Sequence, residues 1–382
     1  MEEKKMKKNI ISLALIAAMA LSMFTGCVKP KMEPVDKKAN AGATEAAKTE
    51  GGNNYELALI TDVGTIDDKS FNQGSWEGLV KYAKEHNITH KYYKPTEKSD
   101  AACLAAIDLA VKGGAKVVVT PGFLFETSVY EAQTKYPKVK FVIIDAAPTK
   151  NKKTDIKDNV LSIFYAEGQA GYLAGYAAVV EGYRNLGFMG GIAVPAVVRF
   201  GYGFIQGVNA AAKELNVPKD AITLKYTYLG NFAATPENQT KAAAWFNEGA
   251  ECIFACAGGA GNSVMKAAES ANKAVIGVDV DQSVESKTVI TSAMKNLSDS
   301  VYNALASYYD NKFVGGKSVV LGAAENGIQL PMATSKFKKF TQADYDRLYK
   351  GLKDGTIKVV KDTDVDAPEK VPADNVKVEV IK

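Results

Sequence analysis

Glu56-Leu-Ala-Leu-Ile60 is a short apolar run that stops at Thr61-Asp62, and this pattern returns along the next hundred residues. An amphipathic segment, Asn72 to Glu85, follows it. Then come a strand at His90–Tyr93, a helix at Ala101–Lys112 and a strand at Lys116-Val-Val-Val-Thr120. A helix at Glu126–Tyr136 and a strand at Val139–Asp145 complete the series. Short apolar strands alternating with helices of about 10–15 residues predict a parallel sheet covered on both faces. Connections of this kind are right-handed.

The pattern restarts further on. Val160–Phe164 reads as a strand, and Tyr165–Val180 as a helix rich in Gly and Ala that suits close packing. Leu186–Gly190, Ala221–Tyr228, Glu251–Ala255 and Ala274–Asp279 read as strands, separated by helices near 200–215, 236–248 and 261–271. Asn296–Asp310 reads as one more helix, and 317–332 as strands crossing back. In the charged tail, Asn375–Ile381 alternates like an edge strand. The fold class is therefore α/β, with two similar doubly wound halves. Open parallel sheets place their crevices at the carboxyl ends of their strands. Here those ends carry Asp62, Thr120-Pro121-Gly122, Asp145, Gly258-Gly259 and Asp279, which together predict the lining of a cleft.

The start of the chain has a different character. Lys4-Lys-Met-Lys-Lys8 precedes the apolar stretch Ile10–Phe24 and then Thr25-Gly26-Cys27. A basic start, a short apolar core and a small-residue exit read as a secretory signal peptide, 1–26. The apolar stretch falls short of the roughly 20 residues of a membrane-spanning helix. Phe24-Thr25-Gly26-Cys27 resembles a bacterial lipobox, in which the cysteine becomes the lipidated N-terminus (diacylglyceryl and palmitate-type chains). Residues 27–54 then read as Cys27 and a flexible tether of Lys, Ala, Thr, Glu, Gly and Asn. The expected location is the extracytoplasmic face of a bacterial cell membrane, with the lipid as the membrane contact.

Without residues 1–26 the chain carries 43 basic and 41 acidic residues. Such a balance predicts no nucleic-acid partner, since the basic footprint is missing. The body from Tyr55 is too long for one ordinary core and predicts two domains. Cys252 and Cys256 sit four residues apart on one strand, about 13 Å, too far for a disulfide. They read as buried free thiols. Two histidines, His86 and His90, predict neither a metal site nor histidine catalysis. There is no Walker A loop and no G-x-S-x-G elbow. Gly201-Tyr-Gly203-Phe-Ile-Gln-Gly207 lies ten residues past its strand, so it predicts no dinucleotide site and no cofactor.

Three stretches can carry binding chemistry. In Thr61–Gln73, Asp62 sits at a strand end and Ser70 can cap the next helix. Phe71 can present a flat face to a ligand ring, and Asn72 offers donor and acceptor together. The plainer reading is a capped turn with solvated acids and Phe71 as a hydrophobic staple. In Val275-Ile-Gly-Val-Asp279-Val-Asp281-Gln282, a carboxylate can accept both hydroxyls of a vicinal diol, and Lys295 offers a second polar clamp. Ala257-Gly258-Gly259-Ala260-Gly261-Asn262 joins a strand to a helix, and its backbone N–H groups can face a ligand at the helix N-terminus.

Taken together, these stretches resemble the basic membrane protein family of substrate-binding lipoproteins. The residues carrying it are Ile60–Gly64, Asp68-Lys-Ser-Phe-Asn-Gln-Gly74, Ile143–Asp145, Phe164-Tyr-Ala-Glu-Gly-Gln169 through Gly175, Gly203–Gly207, Ala257–Gly259, Gly277–Gln282 and Thr291-Ser-Ala-Met-Lys295. The resemblance implies a type I periplasmic-binding-protein fold with two lobes and three crossover strands. Lobe 1 would take 55–163 and 293–320, lobe 2 164–292 and 321–382. It implies a purine nucleoside receptor of an ABC transporter and no enzyme, with guanosine, inosine or adenosine in the cleft. Asp62 and Asn72 would meet the base, and Phe71 would stack on it. Asp145 would belong to the wall, and Asp279 and Lys295 would hold the ribose. Phe204 is the candidate for a second stacking ring, with Phe200, Tyr202 and Phe254 as competitors. The implied partners are a permease and its ATPase, with the receptor a monomer.

Two other readings share these residues. A sugar or autoinducer receptor also uses Asp, Asn and aromatic faces. A calcium-dependent nucleoside hydrolase has the cluster D-x-D-P-G-x-D-D. Here Ile60 stands at its first aspartate, Val63 replaces proline, and one extra residue separates Gly64 from Asp67.

Overall fold

Two parallel sheets with one shared strand order form the frame of this computed structural model, which describes residues 54–381. The expected signal peptide, Cys27 and nearly all of the tether lie outside the described residues. The first sheet contains β1 (Leu57–Ile60), β2 (His90–Tyr93), β3 (Val117–Pro121), β4 (Lys140–Ile144) and β5 (Val160–Tyr165). The second contains β6 (Asn185–Gly190), β7 (Thr223–Tyr228), β8 (Cys252–Cys256), β9 (Ala274–Asp279) and β10 (Val289–Lys295). Their orders, β2-β1-β3-β4-β5 and β7-β6-β8-β9-β10, are equivalent, and all of these pairs are parallel. Every residue of β1, β3, β8 and β9 is buried, as strands covered on both faces require.

Helices supply the covers: α1 (Phe71–Glu85), α2 (Asp100–Lys112) and α3 (Glu126–Lys135) around the first sheet, and α5 (Pro195–Glu214), α6 (Pro236–Asn247) and α7 (Gly261–Ala271) around the second. The chain crosses between the halves three times. After β5 it enters α4 (Glu167–Glu181), which packs along α5. After β10 it enters α8 (Leu297–Tyr309), which packs on α1. β11 (Lys317–Leu321) then joins the first sheet beside β5, and β12 (Ile328–Gln329) returns antiparallel to β10. Ala166 and Asn296, the residues at the first two crossings, bend alike (φ −88°, ψ 63° and φ −79°, ψ 58°). By sheet membership Phe164, Tyr165 and Leu321 belong with the first half and Ala293–Lys295 with the second, one to three residues from the expected joints.

Glycine brings α4 and α5 together. A Cβ on Gly203 would lie 2.0 Å from the Gly168 carbonyl oxygen, and one on Gly207 2.0 Å from that of Tyr172. The glycine spacing at 201–207 is thus helix-packing chemistry. Helix α5 begins at Pro195, five residues earlier than expected, with proline in its favoured first turn. Helix α9 (Gln342–Lys353) was not expected, although Thr341 and Asp344 form a capping box that the sequence displays. The expected edge strand exists as β13 (Lys377–Val380), parallel to β7. Among the described residues no helix is long and apolar enough to cross a membrane. Cys103, Cys252 and Cys256 are buried free thiols.

Candidate functional site

Strand ends from both sheets converge on one cavity, with about 720 Å³ of space free of protein atoms, part of it continuous with solvent. Asp62, Gly122, Asp145, Gly258, Gly259 and Asp279 all line it, as do Phe71, Asn72 and Lys295. Its apolar wall comes from Phe123, Phe200, Phe232 and the start of α5, Val194–Val197.

Lys295 ends β10 and stands at the centre of the charges. Its Nζ donates to Asp145 Oδ2 at 2.5 Å and lies 3.8 Å from Asp279 Oδ1 and 3.7 Å from Glu167 Oε1. The rings of Phe71, Phe200 and Tyr165 surround the same ammonium at 4.9, 5.3 and 5.5 Å. Burial works to discharge Lys295. The carboxylates of Asp145, Asp279 and Glu167 outweigh it and hold the ammonium above its ordinary range. Asp279 is pushed up to about 6 by burial, against the pull of Lys295 and of the Ser70 hydroxyl. Glu167 is fully buried, and neither of its oxygens has a hydrogen-bond partner. Burial raises it to about 7, with Lys295 and Arg199 opposing and Asp145 adding to the rise. Asp145 Oδ1 is likewise buried without a partner, an acceptor on the cavity wall.

The loop before α1 is organised differently from the expectation. Ser70 does not cap the helix; its Oγ donates to Asp279 Oδ2 at 2.6 Å. Asp68 takes the capping role, accepting from the backbone N–H of Asn72 (3.0 Å) and Gln73 (3.1 Å). Asn72 donates through Nδ2 to Asp62 Oδ1 (2.8 Å) and Asp68 Oδ2 (2.9 Å) and accepts from Asp62 N–H (3.2 Å). Its amide therefore clamps two acids together rather than standing free. Burial raises both Asp62 and Asp68, against the hydrogen bonds they accept.

Phe204 does not reach the cavity. It lies one turn beyond Phe200 on the same face of α5, fully buried, with its ring 5.3 Å from that of Phe254. One turn further along the helix it is packed in the interior, while Phe200, nearer the helix start, remains at the wall. Tyr202 and Phe254 are also absent from the wall. Sequence reasoning missed Phe232, four residues past β7, and Phe123, two past β3. Both follow strand ends, the same signal that marked Asp62 and Asp145. It also missed Asp68 and Glu167 as charged neighbours of the site. Among the described residues no group of three or more His, Cys, Asp or Glu is arranged to hold a metal ion.

Several known proteins resemble this chain in sequence or fold. The chain is 29% identical over 358 residues to the ABC transporter nucleoside-binding protein BmpA of Lactococcus lactis, covering 87% of this chain and 94% of that one. It is 27% identical to a lipoprotein of Pyrococcus abyssi, covering 85% and 77%. Its fold matches the crystal structure of an ABC transporter solute-binding protein from Aeropyrum pernix, with a TM-score of 0.69, 23% identity and coverage of 82% and 95%. The architecture is the type I periplasmic-binding-protein fold, two doubly wound parallel sheets joined by three crossings. Residues 55–364 match the Bmp family, described as ABC transporter substrate-binding protein, PnrA-like, and the chain belongs to that family.

Proposed function

We propose that this substrate-binding protein captures purine nucleosides between its two halves and delivers them to a membrane permease and its ATPase. The observation that carries the reading is the pair of strand-end aspartates, Asp145 and Asp279, flanking Lys295 beside aromatic rings. A ribose diol needs charged acceptors at one end, and a purine needs flat apolar faces at the other. Asp145 Oδ1, Asp279 and Lys295 serve the ribose. Phe71, Phe200 and Phe232 serve the faces of the base. Asp62, held by Asn72, serves its polar edge. Gly258 and Gly259 let the backbone approach closely. The role is capture without catalysis, by a monomer.

The nucleoside-binding name of the Lactococcus relative supports the ligand class. The lipoprotein name of the Pyrococcus relative supports lipidation at Cys27 and an extracytoplasmic, membrane-anchored location. Mass spectrometry of the mature N-terminus tests that anchor.

Calorimetric titration tests the ligand. The protein is first unfolded and refolded to strip carried ligand, then titrated with guanosine, inosine, adenosine, uridine, guanine and ribose. One-to-one binding of purine nucleosides, weak or absent for base and sugar alone, is expected. Silence across the panel would move the assignment to another small ligand, a sugar or an autoinducer.

A further inference from the structure

Gln282 lies in the Asp279-Val-Asp-Gln282 stretch but not on the cavity wall, and binding as described leaves it without a role. It is 1% exposed, and its side chain spans the two halves. Its Oε1 accepts from Val278 N–H at 2.9 Å, and its backbone N–H donates to Ser292 Oγ at 3.0 Å. These bonds fix the residue to the second half whether or not the cleft is closed. The other end of the amide, Nε2, donates to the Lys69 carbonyl oxygen of the first half at 2.7 Å. Lys69 has a left-handed backbone, φ 61°, without being glycine, so its peptide is held by its surroundings. The next residue, Ser70, donates to Asp279.

We propose that Gln282 is a positioning residue and closure latch, which holds the Lys69–Ser70 peptide only when the halves meet and so brings the Ser70 hydroxyl to Asp279. Gln282 is already ordered on its own half, so the bond to Lys69 forms with little loss of side-chain freedom. A groove lined by Lys69, Asp281 and Glu285 borders the contact, so water can replace both partners on opening. The latch is therefore reversible. The nearby Lys69–Glu285 ion pair, 3.8 Å apart with both side chains partly exposed, adds little. Closure and the completion of Asp279's hydrogen bonds become one event.

The inference rests on the nucleoside reading for its ligand probe only. The test uses the full-length protein in detergent, with Gln282→Glu and Gln282→Met. Glu keeps the acceptor for Val278 and loses the donor to Lys69; Met keeps the volume and loses both. Thermal unfolding reports that each variant folds. With guanosine, dissociation is expected to be roughly tenfold faster in both variants, with association changed less than about twofold. The pH at which affinity falls by half should also rise, because Asp279 loses the Ser70 donor while still facing Lys295 on β10, Asp145 after β4, Asp68 before α1 and Cys256 on β8. A defect of folding alone would not move that profile. Small-angle scattering of the ligand-free proteins should show a larger radius of gyration in the variants. Unchanged dissociation and pH profile in folded variants overturn the latch. If wild-type protein ignores guanosine, the nucleoside reading fails, and the scattering comparison alone decides: equal radii overturn the latch.

Discussion

Asp145 and Asp279 are counterparts. Each closes the fourth strand of its sheet's order, each has a left-handed backbone (φ 58° and 66°), and each turns its carboxylate to Lys295. Asparagine tolerates that backbone well, so Asp145→Asn and Asp279→Asn should fold normally. Each should weaken guanosine binding about 10- to 100-fold, the worth of a hydrogen bond to a charged acceptor. Titration calorimetry checks this, and wild-type affinity in both variants would remove the pair from the site.

Lys295→Met leaves Asp145 and Asp279 buried without their cation and Glu167 with Arg199 alone, 3.8 Å away. Breaking a buried pair in this way costs about 3–5 kcal/mol. The loss should be largest at alkaline pH, where Asp279 and Glu167 must ionise, and should shrink toward pH 5 as these two take up protons. Urea unfolding at pH 5.5 and pH 8 measures it; an equal loss at both would mean that packing and not charge is what Lys295 supplies.

Phe204 and Phe232 should separate stability from binding. Phe204→Ala opens a cavity against Phe254 and should cost about 3–5 kcal/mol of stability while folded protein keeps its affinity. Phe232→Ala removes a half-buried ring from the wall and should lower affinity about tenfold with a smaller stability loss. Paired melting curves and titrations decide between them.

Glu167 should make stability fall as pH rises. Its folded value, about 7, stands above its ordinary 4.5, so the folded state holds the proton more tightly than the unfolded chain. Stability from this group is greatest below pH 4.5 and declines as pH climbs to about 7. Glu167→Gln should remove that decline and gain at most about 3 kcal/mol at pH 8. Unfolding free energies from pH 4 to pH 8 provide the check; parallel slopes in both proteins would show that the carboxyl is not raised.

Much of this molecule is legible in its residues because parallel strands announce themselves. Runs such as Val117–Val119 are apolar throughout, and the polar residue that stops each run marks the crevice. Asp62, Asp145, Gly258 and Asp279 were placed by that rule. Hydrogen-bond partners across the cleft were not legible. Ser70 carries the signature of a helix cap, yet its hydroxyl meets Asp279, 209 positions away. Asn72 looked like a free amide, but two nearby acids occupy it. Phe200 and Phe204 share one face of α5, and only the depth at which that helix meets β8 separates wall from core. Phe232 lies four residues past β7 in a loop that resembles an ordinary turn, so the strand end it follows is its single local mark.

The cavity wall holds four aspartates, Asp62, Asp68, Asp145 and Asp279, against one lysine, Lys295. A nucleotide differs from its nucleoside by a phosphate bearing roughly two negative charges at neutral pH. On the proposed reading, the wall repels that group before shape is tested. On that reading the protein also sorts solutes by valence, and phosphate esters would have to be hydrolysed before their nucleosides could be taken up by this route.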